Sequence, residues 1–406
     1  MAGSQQTVRY AVAAVASLAA AWPAFEFALV STLRVADPEA ALEWRPGDGP
    51  ALAKLVNRRI EKDRIYKANA EDTRTALRSL IATPLNRSSL RIIGLNAELS
   101  GDRARARSAM QLSDRVSRRD SLAQVWLLER AAERDDFEGF LAHYHAALSV
   151  TPELGEVLRP ILVSAVKYPQ VREAAQPYLR NNAPWAPAFM AKAAIDAEPG
   201  DAFEMTLPVA RWLSGKQYQP AIAQLAYRLA ADGRSGDALK LAEATWGDFD
   251  AKAFASSAPN KITTDERLGR LAWSLANGGG ISVRTNDEGL MNVSIDPLAR
   301  GSLASRDFPV QGGRDYTLTQ RVKFSGRAER VRIAWRADCV AAADKPAKRI
   351  WDQPIPPRSE ATTYRSTISV PTGCNLVTLT LSGTGPESQP PANLSLEQIE
   401  FAPSSR

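Results

Sequence analysis

The sequence predicts an α + β multidomain chain: an N-terminal membrane segment, an array of packed helices, and a C-terminal antiparallel β-sandwich. Three observations carry this. Tyr10–Leu33 is an apolar run whose one charge is Glu26. From Pro50 to about Trp246, alanine, leucine and arginine dominate, and apolar residues recur at three and four, the period of a helix with one buried face. After Trp246 Ser, Thr, Gly and Pro rise, and β-branched residues alternate with polar ones, the period of a half-buried strand. With 406 residues and 45% hydrophobic content, the chain can build more than one ordinary core. The expected boundaries are 1–33 for a tail with membrane anchor or signal, 34–245 for the helical domain and 246–406 for the sandwich.

The N-terminal segment admits three readings: an uncleaved anchor, a cleaved signal, or a buried helix of a soluble protein. As an uncleaved anchor, flanked by Arg9 and Arg34, it is long enough to cross a bilayer. Asp37, Glu39 and Glu43 follow it, which favours a single-pass inner-membrane protein with its bulk in the periplasm. Pro23 and Glu26 weigh against that, because a carboxylate in hydrocarbon is costly. As a cleaved signal, Tyr10–Leu18 would be the apolar region and Ala19-Ala20-Ala21 the cleavage site, leaving a soluble periplasmic protein. The anchor is the expectation, with the inner membrane as a partner. Cys339 and Cys374, the two cysteines, are then most simply a disulfide, although two unrelated buried thiols remain open. Lys+Arg 51 against Asp+Glu 45 gives a net charge of +6, and the signs alternate, as in "RRIEKDR" (Arg58–Arg64). No basic stripe is interleaved with aromatics, so no nucleic-acid partner is expected.

In the helical half, "LSGDRARARSAM" (Leu99–Met110) reads as the bend of a helical hairpin. Gly101 suits a left-handed cap, and Asp102 can cap the next helix. Ala104, Ala106 and Ala109 would let the two helices approach, with Arg103, Arg105 and Arg107 pointing away. "TPLN" (Thr83–Asn86) and "TPEL" (Thr151–Leu154) lie 68 residues apart, twice 34. If Pro84 closes one unit, the next places small Gly94 in its first helix, facing Ala106, with Met110 the large apolar residue after it. The unit after that places Tyr144, Ala147 and a closing Pro152. This pattern resembles tetratricopeptide repeats. The resemblance implies an α-solenoid that binds protein partners, packed through Gly94, Ala106, Met110, Tyr144, Ala147 and Pro152. "AIAQLAYRLAADGRSGDALKLAEATW" (Ala221–Trp246) repeats the logic. "NNAPWAPAF" (Asn181–Phe189) reads as a break between front and rear arrays.

In the second half, "RVRIAWRADC" (Arg330–Cys339) puts Val331, Ile333, Trp335 and Ala337 on one strand face, opposite Arg332, Arg336 and Asp338. "WGDFD" (Trp246–Asp250), "LARGSLASRDFPVQGGRDYTLTQRVKFSG" (Leu298–Gly326) and "ANLSLEQIEFAP" (Ala392–Pro403) resemble, in order, the opening, centre and last strand of jelly-roll carbohydrate-binding modules. The resemblance implies a jelly roll and a polysaccharide ligand. Sugars stack on exposed aromatic rings, so Trp351, in the loop-like "PAKRIWDQPIPP", Tyr364 and Tyr316 are the candidate glycan-binding residues. Such modules often end in an acidic pair that holds calcium. Gln398 departs from it, and no metal or other cofactor is expected.

Catalytic chemistry finds little support. The two histidines, His143 and His145, are spaced to face different sides of a helix and cannot share a metal. No "GxSxG" elbow exists. "ANGGGIS" (Ala276–Ser282) lacks the lysine and helix of a phosphate cradle and reads as a strand-linking turn. The acidic "RDD" (Arg134–Asp136) and "TNDEG" (Thr285–Gly289) are turn-like. No catalytic residue is assigned, and the chain is expected not to be an enzyme. The expected role is that of a non-catalytic, membrane-tethered accessory protein in bacterial polysaccharide production or export, by analogy of fold. The alternatives are a polysaccharide-processing enzyme and a pure assembly scaffold.

Overall fold

The computed structural model of the chain describes residues 2–62, 67, 69–250, 266–286, 290–325, 331–340, 346–388 and 390–404. It divides into two compact units, Met1–Gly155 and Glu156–Arg406. The change from helix to strand comes later, between α14 (Ser235–Thr245) and β1 (Ser274–Leu275). Most of the rear helices therefore share a unit with the sandwich.

The first unit contains α1 (Ala2–Ala36), α2 (Pro38–Trp44), α3 (Gly49–Lys62), α4 (Ala70–Ala82), α5 (Arg87–Leu99), α6 (Arg103–Val116), α7 (Ser121–Ala132) and α8 (Phe137–Val150). The expected membrane anchor is corrected here. No helix among the described residues is long and apolar enough to cross a membrane, which overturns the single-pass inner-membrane placement. Tyr10–Leu33 is a part of α1, rich in weakly apolar alanine and carrying Pro23. Its C-terminal turns belong to the helical fold. Val30 is buried against Ala41 and Ala51, and Arg34 makes a two-pronged ion pair with Asp48, at 2.8 and 2.7 Å.

The quoted bend is built as its sequence suggests. Gly101 takes φ +83°, which costs glycine little. Asp102 N-caps α6, its carboxylate accepting from the Arg105 N–H at 3.0 Å. One period on, Asp135 takes φ +56° and Asp136 caps α8 through the Gly139 N–H at 2.9 Å. Asn86 and Asp120 cap α5 and α7. Both pairs of caps, 86 to 120 and 102 to 136, are 34 residues apart. Ala106, Met110, Tyr144 and Ala147 are buried. A Cβ at Gly94 would meet Met110 Cγ at 2.9 Å, so the side chain nearest Gly94 is Met110 rather than Ala106. Ala104 is exposed. Pro152 is exposed too, and it opens a 3-10 turn (Pro152–Leu154), because its ring suits a first helical position rather than an interhelix contact. A buried ion pair joins the hairpins: Arg91 Nε donates to Asp120 Oδ2 at 2.9 Å, while Asp120 Oδ1 caps α7.

The rear helices are α9 (Gly155–Ala165), α10 (Pro169–Arg180), α11 (Ala186–Asp196), α12 (Pro199–Thr206), α13 (Gln219–Ala231) and α14. "NNAPWAPAF" is a turn between α10 and α11 and not a break between arrays. Asn182 takes φ +50°, and Trp185 is buried with its ring 5.8 Å from both Tyr178 and Phe189. None of the residues of "WGDFD" is itself in a strand. Trp246 is buried at the C-terminus of α14, and residues 251–265 lie outside those described.

The sandwich comprises β1, β2 (Asn277–Gly278), β3 (Ile281–Thr285), β4 (Met291–Ile295), β5 (Arg300–Pro309), β6 (Asp315–Ser325), β7 (Arg332–Val340), β8 (Lys348–Ile355), β9 (Thr362–Ser369), β10 (Leu376–Thr384) and β11 (Ala392–Pro403). One sheet has the order β1-β5-β10-β7-β8, the other β2-β3-β4-β11-β6-β9, with antiparallel pairing throughout. From β4 onward the chain switches sheets at nearly every step, the exception being β7 to β8. "ANGGGIS" is the β2–β3 turn, with Gly278, Gly279 and Gly280 all at positive φ. Alternation fixes the core: Ile333, Trp335 and Ala337 face inward with Val377, Leu379 and Leu381. Trp335 is fully buried and donates its Nε1 hydrogen to Gln320 Oε1 at 2.5 Å. A line of aromatic contacts runs Trp335–Trp273–Phe308–Phe401–Tyr316 through this core. Cys339 and Cys374 form a disulfide with Cα atoms 5.8 Å apart. In the chain-entropy view a loop of that size stabilises the fold by roughly 4 kcal/mol.

One rear helix of this unit, α13, is fastened to the sandwich. Asn375, just before β10, donates to the Ala231 carbonyl at the end of α13 at 2.9 Å. Arg270 lies over the Tyr227 ring of α13 at 4.5 Å and reaches Asp307 of β5 at 2.9 Å.

Candidate functional site: a groove on the five-stranded sheet

The aromatic candidates do not form a sugar platform. Tyr316 is only 6% exposed, stacks on Phe401 and accepts the Gln311 N–H at its hydroxyl, 2.7 Å away. Its expected exposure is corrected: the core uses the ring. Trp351 is not in a loop. It lies on β8, an edge strand, opposite inward-facing Ala337, and is half-buried against the core. Pro354 is tolerated in that strand because an edge has a free side. Tyr364 sits on β9, the edge of the other sheet, opposite buried Gln320, and its hydroxyl donates to the Pro356 carbonyl at 2.8 Å. A hydrogen bond from Ser366 of β9 to Gln353 of β8, at 2.6 Å, links these two edges. Trp351 and Tyr364 thus both stand at the sandwich edges and face the core.

The open surface lies elsewhere. Because Trp335 points inward, Arg332, Ala334 and Arg336 point outward on β7. The register aligns them with Thr384, Ser382 and Thr380 of β10, and those with Arg300, Ser302 and Ser305 of β5. Three polar rungs therefore cross the outer face, about 7 Å apart along the strands. The groove above them has a volume of about 910 Å³. This is the upper end of the roughly 300–1,000 Å³ typical of ligand pockets. Pro354, Pro356 and Pro357 form one wall. Three arginines, Arg300, Arg332 and Arg336, line it with serine and threonine hydroxyls, and among the described residues no acidic or aromatic side chain lines it. Arg336 is paired with Asp338 at 2.6 Å. Arg300 and Arg332 have no ion-pair partner among the described residues.

Sequence reasoning found Arg332 and Arg336 only as the back of a core strand and missed Arg300 altogether. The alternation signalled the first two. Arg300 joins them only through the β5–β10–β7 register.

A smaller polar depression, about 480 Å³, lies on the outer face of the six-stranded sheet, between Arg284, Lys323, Asn292 and Glu397. Glu397 is paired with Arg321 at 3.1 Å.

Other titratable groups serve the fold. Arg306 points into the core, donates to the Leu271 carbonyl at 2.9 Å, and is pushed down to about 10 by burial. Burial raises the Asp307 carboxyl, against the hydrogen bonds from Thr378 and Arg270. His143 lies 2.7 Å from Gln124 Oε1 on α7, and burial lowers its pKa. Asp136 is spent as a helix cap, and residues 287–289 of "TNDEG" lie outside those described. Among the described residues no group of three or more His, Cys, Asp or Glu side chains is placed to hold a metal.

No family model matches the chain. Among solved structures, it is similar to a carbohydrate-binding module, CBM4, at 14% identity, over 37% of this chain and 98% of that one, with a TM-score of 0.29. It is also similar to TmCBM61, crystallised with β-1,4-galactotriose, at 11% identity, over 36% of this chain and 99% of that one, with a TM-score of 0.25. A third likeness is to the CBM22-1–GH10 modules of Clostridium thermocellum xylanase 10B, complexed with xylohexaose. It stands at 14% identity, over 36% of this chain and 29% of that one, with a TM-score of 0.25.

Proposed function

We propose that the protein is a non-catalytic accessory factor in bacterial polysaccharide production or export, which holds glycan on its sandwich and protein partners on tetratricopeptide-like helical hairpins. The groove on the five-stranded sheet carries the glycan half. Its hydroxyl rungs match a hydroxyl-rich ligand, and its proline wall offers the apolar surface against which sugar CH groups pack. The 34-residue recurrence of the helix caps supports the repeat reading. Exposed Leu77 and Ile81, one turn apart on α4, and Leu85 just beyond it support a partner surface there.

The test is retention of the full chain in gels containing a panel of plant, algal and bacterial polysaccharides, with product analysis of every polymer that retains it. The reading requires retention by at least one polymer, with no new reducing ends or unsaturated sugars. Retention by none removes the glycan role, and turnover removes the non-catalytic one.

A further inference from the structure

The groove's charge is more specific than a surface for sugars in general. Arg300 and Arg332 sit at the two ends of one rung, with Thr384 between them. Two strand spacings separate their backbones, about 10 Å. Arg336 stands two rungs along the same strand as Arg332, about 13 Å away. Among the described residues, no acidic side chain lines the groove and neither Arg300 nor Arg332 is neutralised. Elsewhere the chain does pair its arginines across elements, as Arg34 with Asp48, Arg91 with Asp120 and Arg172 with Asp201. Unpaired cations on one open face repel one another, and an anion spanning them removes that repulsion. Guanidinium groups match carboxylate and sulfate in shape as well as charge. The serine and threonine hydroxyls between the arginines suit a ligand that carries hydroxyls between its charges. The aromatic rings on which a neutral glycan would stack are in the core or at the sandwich edges.

We infer that this groove binds an anionic polysaccharide, with carboxylate or sulfate groups on successive sugars seated on Arg300 and Arg332. The inference rests on the glycan-binding reading above and adds the class of ligand.

The experiment compares binding of the full chain, by calorimetry at fixed ionic strength, to four probes. These are a polyuronate, the same polymer after carboxyl reduction, a sulfated polysaccharide, and single-stranded DNA. The expected result is that the polyuronate or the sulfated polymer binds at least about tenfold more tightly than the reduced polymer and the DNA. Whichever of the two acidic polymers binds better identifies the anion. The double variant Arg300→Ser/Arg332→Ser should lose about tenfold or more of that affinity with an unchanged melting temperature, because both side chains are on the surface. Lys323→Ser, on the opposite sheet, should keep it. Equal binding of the native and reduced polymers, full affinity in the double variant, or an equal loss in Lys323→Ser would each overturn the inference while leaving the glycan reading intact. DNA binding as tight as that of either acidic polymer overturns it as well. Failure of all three polysaccharides here, with retention of a neutral glycan in the gel panel, likewise overturns only the inference. Failure in both experiments removes the glycan reading.

Discussion

The front helices and the rear helices of this chain are made of similar residues and are stabilised differently. α4 to α8 begin on side-chain caps from Asn69, Asn86, Asp102, Asp120 and Asp136. α10 to α13 begin with a proline in the first turn and no side-chain cap. A cap satisfies a helix's own free N–H groups, so it sets the helix start without help from distant sequence. A proline only removes one such group and presets φ. Of these, α13 ends instead in contact with the sandwich, its Ala231 carbonyl accepting from Asn375 and its Tyr227 ring lying under Arg270, which pairs with Asp307. The front hairpins are thus locally specified and keep a regular period. The rear helices lack such caps, and α13 is held by a surface distant in sequence.

Five substitutions in the full chain sharpen or break this contrast, read by thermal unfolding and by hydrogen exchange resolved to individual helices. Arg91→Met should have the largest effect, about 3–5 kcal/mol, because it leaves Asp120 buried without its cation. The loss of protection should be concentrated in α5 and α7. Gly94→Leu should cost about 1–3 kcal/mol by driving a side chain into Met110. A neutral Gly94→Leu would mean that the α5–α6 contact is not the tight one described. Asp102→Ala should cost about 1 kcal/mol and fray the first turn of α6 only. Asn375→Ala should cost about 0.5–1.5 kcal/mol, yet its signature should lie at the C-terminal end of α13, far away in sequence. If α13 exchanged no faster in Asn375→Ala, the claim that this helix depends on the sandwich would fail. Arg105→Ala, on the exposed side of α6, should change stability by less than about 0.5 kcal/mol. An effect there larger than that of Gly94→Leu would reverse the inside and outside of the hairpin.

The sequence by itself determined what depends on near neighbours. Gly101 and Asp102 specify a bend because a left-handed cap and an N-cap are properties of a few consecutive residues. The alternation around Trp335 specifies its burial because successive side chains in a strand leave on opposite faces. The helix-to-strand change was legible for a similar reason. The tertiary structure alone decided the rest. Tyr316 and Trp351 have the composition of a sugar platform, and only the packing of Phe401 and the edge position of β8 place them against the core. Tyr10–Leu33 has the length of a membrane anchor, and the burial of Val30 and the Arg34–Asp48 pair turn its end into part of a helical domain. The arginine groove was hidden most completely. Arg300 and Arg332 are brought onto one rung by a third strand from far along the chain, with Thr384 between them. Strand register is set by the summed packing of two sheet faces, a long-range quantity that no window of sequence contains.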